Sequence, residues 1–150
     1  MRVAYEAGPT GYGLARACAQ AGIACPVAAP SKIPRAPGDR VETDRRDAER
    51  LARLLRLGER VSVRVPDPLE EAARDLVRAR EDARGDLMRA RHRLSKLLQR
   101  QGLVYEASAW TIAHDAWLRR QRFARRPLAL AFEESYGVVL QAKARRDALD

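Results

Sequence analysis

The apolar positions follow one rhythm up to about residue 67 and another from residue 68 onward. Met1-Arg2-Val3-Ala4-Tyr5 reads as a short strand ending at Glu6, and Gly8-Pro9-Thr10-Gly11 as a turn. Thr10 is positioned to cap a helix from about Gly11 to Gln20, with Leu14, Ala17, Cys18 and Ala21 on one face and Gly22 as its stop. Ile23 to Ala29 is an apolar run of strand length. Strand, helix and strand with Gly-bearing connections predict a βαβ unit, so the two strands should be parallel. Pro30 to Asp39 reads as a proline-rich loop, after which Thr43 caps a helix to about Leu57. Ala48, Leu51, Ala52 and Leu55 form its expected apolar side, and Gly58 ends it. Val61, Val63 and Val65 alternate with polar residues, an extended stretch closed by Pro66-Asp67-Pro68.

From Leu69 the apolar spacing becomes heptad. Leu69, Leu76, Ala83, Ala90 and Leu97 form one row; Ala73, Leu87 and Leu94 form a second, broken at Arg80. The pattern predicts one helix to near Gly102, roughly 50 Å long at about 1.5 Å per residue. Such a helix needs a partner. Two further helical patterns, Trp110 to Phe123 and Leu128 to Leu149, could fold back on it, or a second copy of the chain could supply one.

Composition sharpens this outline. The hydrophobic share of 46% is that of a globular protein, while aromatic residues are scarce at 5% and charged residues make up 33%, which favours solvated helices. No apolar run reaches the roughly 20 residues of a membrane span, and no basic-then-apolar signal opens the chain, so a cytoplasmic protein is expected. The net charge is +9 and is carried almost wholly by arginine. GC-rich coding bias would write such a chain, but so would selection for a polyanionic partner. Cys18 and Cys25 match neither a zinc spacing nor a disulfide framework and read as structural thiols.

Three carboxylates stand apart. Glu6 lies at the carboxyl end of a strand, where sites collect in parallel α/β sheets. Asp44 and Asp47 lie one turn apart at a helix start, within reach of a common ion. Together they suit Mg2+ or Mn2+ in phosphodiester chemistry. Each also has a plainer explanation: the helix dipole favours acids in a first turn, and Glu6 could cap the next helix. Lys32, Arg35, Arg40, Arg45 and Arg46 flank the acidic pair and could hold phosphates or simply face solvent. Gly8, Gly11 and Gly13 match neither a dinucleotide fingerprint nor a phosphate loop with its lysine. Trp110 and Trp117, at helical spacing, read as packing anchors rather than base-stacking platforms.

Several stretches in order resemble the DEDD insertion-sequence transposases, whose recombination is guided by a bridge RNA. They are YEAGPTGYGLARA from Tyr5, APSKIPR from Ala29, GDRVETDRRDAERLARLLR from Gly38 and VRVPDP from Val63. REDARGDLMRARHRLSKLL from Arg80 follows, and then the Trp-Thr, His and Trp-Leu spacing at Trp110 to Leu118. The resemblance implies a partial ribonuclease-H-like (RuvC-like) α/β domain over residues 1–67 and a mainly α-helical, coiled-coil-like arm over 68–150. It identifies Glu6 with the second member of the family's Asp, Glu, Asp, Asp set, and Asp44 and Asp47 with the third and fourth. The first Asp and the family's serine-bearing domain have no counterpart, and Glu42 stands where the family commonly has Lys. The expectation is therefore a transposase fragment, inactive alone, from a decayed gene or a misassigned start. It would bind divalent metal, DNA and guide RNA and dimerise through the arm. Its first strand should have an open edge. The competing expectation is a non-catalytic basic helical protein that binds nucleic acid or dimerises.

Overall fold

The expected crossover is present. In the computed structural model, which describes residues 2–33, 43–58 and 62–150, β1 (Tyr5–Glu6) pairs in parallel with β2 (Val27–Ala28). Tyr5 lies opposite Val27 and Glu6 opposite Ala28, and the pairing extends back to a bridge between Arg2 and Ala24. Beyond β2, Ser62 bridges Ala28 in the antiparallel sense, and Val63 N–H donates to the Val27 carbonyl at 2.8 Å. Val27 and Ala28 are therefore buried inside the sheet. β1 has no strand on its other side among the described residues.

α1 (Gly13–Gln20) makes the connection but starts later than the sequence pattern suggests. Gly11 has a φ of +67°, which a helix cannot accommodate, so Thr10 stays in the preceding turn and Tyr12 opens the helix without a side-chain cap. Gly22 stops α1 as expected: at φ +69° its N–H reaches the Ala19 carbonyl at 3.1 Å, and Ile23 N–H reaches Cys18 at 2.8 Å. These paired bonds satisfy carbonyls that the helix end would otherwise leave bare. Burial, then the neighbouring Cys18 thiol, pushes the Cys25 thiol above its ordinary value, which keeps it protonated and unreactive.

Thr43 Oγ accepts the Arg46 N–H at 3.4 Å and caps α2 (Asp44–Leu57), which ends on Gly58 at φ +72°. The apolar side differs from expectation. Leu54 is the buried residue, Leu51 and Leu55 are half-buried, and Ala48 and Ala52 face solvent. Turning leucines inward removes far more apolar area from water than turning alanines does. Of the acids, Asp47 lies on this inner side, half-buried.

α3 (Pro68–Arg100) opens on a capping box that the Pro66-Asp67-Pro68 turn conceals in the sequence. Asp67 Oδ1 accepts Glu70 N–H at 2.8 Å while Glu70 Oε2 accepts Asp67 N–H at 3.0 Å, with Pro68 in the first helical position. The chain divides into two compact units, Met1–Glu71 and Ala72–Asp150. Within the first, Arg16 of α1 donates to the Pro66 carbonyl at 3.0 Å and pairs with Glu71 at 2.5 Å. A Cβ on Gly11 would lie 2.9 Å from the Glu71 carboxylate, and Tyr5 Oη donates to the Gly11 carbonyl at 3.0 Å. A small residue with left-handed freedom is required there.

The second unit is helical. Ala83, Leu87, Ala90, Leu94 and Leu98 are the buried positions of α3, and the last four pack with Leu118 of α4 (Ile112–Arg119) and Phe132 and Val139 of α5 (Arg126–Asp147). The last heptad position, Leu97, is only partly buried and Leu98 takes its place. A helix of about 3.6 residues per turn drifts roughly 20° per heptad, which rotates Leu98 inward. α4 is shorter than the pattern suggests, whereas α5 keeps the expected length but starts and ends two residues earlier. Thr111 caps α4 by accepting His114 N–H at 3.2 Å, leaving Trp110 outside it. Arg80, the break in the second apolar row, pairs with Asp150, and Asp86 pairs with Arg145 at 3.2 Å. The order of these pairs sets α5 antiparallel to α3. Leu69 (80% exposed), Leu76 (54%) and Val77 (60%) earlier on α3 stay open to solvent.

His114 is buried in this unit, and its Nδ1 accepts the Trp110 N–H at 2.9 Å. Burial lowers its pKa below the ordinary 6.5, opposed by Asp115 and assisted by Arg91. The unfolded chain therefore takes up the proton first as pH falls. The stabilisation is present above about 6.5 and is lost as pH drops through the folded value. Thermal melts followed by tryptophan fluorescence should shift to lower temperature between pH 7 and 5, and His114→Gln should flatten that dependence. Identical slopes in both proteins would refute the assignment.

Candidate functional site

Parallel pairing places Glu6 at the carboxyl end of β1, exposed, opposite the buried Ala28. Its carboxylate makes no hydrogen bond or ion pair among the described residues. α2 packs against β1, so the strand carrying Glu6 and the helix carrying Asp44 and Asp47 are direct neighbours. Asp47 Oδ1 accepts Arg50 Nη1 at 3.5 Å, a long contact that leaves most of its acceptor capacity uncommitted. Asp44 is the first residue of α2, and its side chain lies outside the described set.

Among the described residues, no three His, Cys, Asp or Glu side chains converge closely enough to enclose a metal ion. Glu6 at its strand end and Asp47 on α2 nevertheless offer carboxylate oxygens with little competing hydrogen bonding, the donor type that a hard divalent cation prefers. With one or two carboxylates from the protein, such an ion completes its coordination with water and phosphate oxygens.

The basic residues divide in the same way. Lys32 ends a short 3₁₀ turn, Pro30–Lys32, and is exposed. Arg45 and Arg46 are exposed on the first turn of α2; Arg45 Nε donates to Glu49 at 3.0 Å. That pair is solvated on both sides and contributes little, so a phosphate can displace the carboxylate. Arg35 and Arg40 lie outside the described residues.

Sequence reasoning missed the residues that tie the site's scaffold together. Arg16, Glu71 and Gly11 join α1 to the start of α3, although none carries chemistry. Asp67 followed three residues later by Glu70 was the legible signal, a capping pair hidden by its flanking prolines. Arg64 makes a two-point ion pair with the same Glu70.

These arrangements define a small α/β unit with Glu6 at the carboxyl end of a parallel pair, together with a helical unit. The comparisons place it. A family model described as a transposase, of the DEDD IS110 kind, matches residues 1–102. The chain is 47% identical over 137 residues to the putative transposase y4qE of Sinorhizobium fredii, covering 91% of this chain and 35% of that protein. It is 40% identical over 150 residues to the transposase for insertion sequence element IS1533 of Leptospira borgpetersenii, covering 97% of this chain and 43% of that one. The chain belongs to the DEDD transposases of insertion sequences. It spans less than half the length of these curated relatives. No solved structure matches it significantly. No helix among the described residues is long and apolar enough to cross a membrane.

Leu54 is the one buried leucine of α2 and anchors the helix that carries both aspartates. Leu54→Ala should lower the stability of the first unit by about 2–5 kcal/mol. Limited proteolysis should then cut within α2 first; protection equal to wild type would show that the helix is held by other contacts.

Proposed function

We propose that this chain contributes the acidic centre of a DNA transposase, with a RuvC-like core in which Glu6, Asp44 and Asp47 hold Mg2+ or Mn2+ against a DNA phosphodiester. The observation that carries this reading is the packing of α2 on β1, because it makes neighbours of the two elements that bear the acids. Family membership supports it, and the three acids resemble the family's set by motif. When bound, divalent ions supply stabilisation of the charge that develops on the transferred phosphoryl group and its leaving oxygen.

The chain's own residues do the rest. Glu6 at a strand end and Asp47 on a packed helix face would supply carboxylate oxygens to the ion, with the exposed Glu6 side chain free to turn toward it. Lys32, Arg35, Arg40, Arg45 and Arg46 hold backbone phosphates of DNA or of a guide RNA, which positions the strand without reading its sequence. Leu69, Leu76 and Val77 form an exposed apolar stripe on α3 through which two copies would associate.

Calorimetric titration of the chain with MnCl2 should show binding that Asp44→Ala/Asp47→Ala abolishes. Equal binding by both proteins would favour a non-catalytic nucleic-acid-binding or dimerising protein instead. In a second measurement, affinity for duplex DNA should fall as salt rises, with a double-logarithmic slope of about −4.5 if all five basic residues reach phosphates. A flat response would remove the polyanionic partner.

A further inference from the structure

The second unit contains an open cavity of about 340 Å³ between α3, α4 and α5 that the transposase reading leaves unused. This volume lies in the range of small-ligand sites. Three cations line it, Arg91, Arg119 and Lys143, against one carboxylate, Asp115. That acid is already occupied: it accepts Tyr136 Oη and, at 2.7 Å, Arg119 Nε, which together hold it below its ordinary pKa. Lys143 is balanced by Asp147 at 2.6 Å, in an exposed pair of small worth.

Arg91 is the cation left short. Its guanidinium lies over the Trp110 ring at 4.9 Å, and its Nε is buried with no hydrogen-bond partner. A buried donor without an acceptor is costly and rare in native proteins. Burial and then the nearby Arg146 lower its pKa, in keeping with a desolvated, under-compensated charge. Trp110 is itself held in an unusual state. It has a φ of +66°, the one non-glycine residue with positive φ among those described, fixed by its N–H bond to His114. Strain of this kind persists only where the surroundings impose it and often marks a binding site. At the same cavity, Ile112 is 92% exposed and Leu140 39% exposed, giving an apolar wall open to solvent beside the cations.

We propose that this cavity takes an unpaired nucleotide of a nucleic-acid strand, its base on the Trp110, Ile112 and Leu140 side and its phosphate on Arg91 and Lys143. An aromatic and aliphatic wall beside the under-compensated Arg91 and the weakly paired Lys143 is the combination that a base with its phosphate satisfies, whereas a bare anion leaves the apolar wall wet. The proposal rests on the nucleic-acid reading of this protein but names a site in the other unit.

The test uses the full chain and a short single-stranded oligothymidylate, read by tryptophan quenching and by anisotropy of a labelled strand. Trp117 lies between Tyr105 and His114, at 5.4 and 5.6 Å, and supplies a constant background. Quenching is expected in the wild type. Lys143→Gln, an exposed substitution, should weaken binding about tenfold and lower the salt slope by about one. Arg91→Gln should do the same, and Arg91→Lys should restore the slope but not the full affinity. Unchanged binding by Lys143→Gln and Arg91→Gln, each with wild-type circular dichroism, would overturn the site while leaving the nucleic-acid reading intact. A wild-type chain that binds no oligonucleotide at all would overturn both. Equal quenching by inorganic phosphate would overturn the assignment of a base.

Discussion

Two strands that run side by side in the same direction cannot be joined by a tight turn. The chain between them must travel back along the sheet, and α1 does so. Once β1 and β2 are paired in parallel, both carboxyl ends point the same way, and Glu6 necessarily emerges at that end. The crossover also sets what must hold it in place. Arg16 on α1 reaches both Pro66 and Glu71, and Gly11 lets the turn before α1 pass close to the Glu71 carboxylate. The sheet end, the crossover helix and the start of α3 are thus fixed by a few contacts between residues far apart in sequence.

The helical unit obeys a different constraint. A single amphipathic helix has no stable existence in water without something to cover its apolar face. α4 and α5 cover the second half of the α3 seam, and the order of burial follows the natural twist of the helix rather than a strict heptad. The polar residues that interrupt the apolar pattern have partners: Arg80 meets Asp150, and His114 accepts a backbone N–H from Trp110. The first part of the seam, at Leu69 and Leu76, has no such cover among the described residues.

Charge links the chemistry of both units. The chain carries +9, and its exposed ion pairs contribute little to stability, so a polyanion can exchange carboxylate partners for phosphates at small cost. Glu6 and Asp47 lie on neighbouring elements of the first unit, and Arg91, half-buried, has an unpartnered Nε in the second. A phosphodiester is the ligand proposed for both places.

The parallel pairing, the caps at Thr43 and Gly22, and the long α3 were legible in the sequence because they depend on local spacing and on residues with special backbone chemistry. The placing of Glu6 at a strand end and of Asp44 and Asp47 at a helix start was legible too, since these are local features. Periodicity could not say which leucine of α2 turns inward, because that depends on the area buried against β1. Nor could it place the start of α1, which the left-handed Gly11 delays, or exchange Leu98 for Leu97. Trp110 and Trp117 pack against the core as expected, but the Arg91–Trp110 stack was beyond periodicity. Sequence by itself determined the elements and their direction. Only the tertiary structure decided which faces meet, because burial and charge compensation are properties of side chains brought together across long stretches of chain.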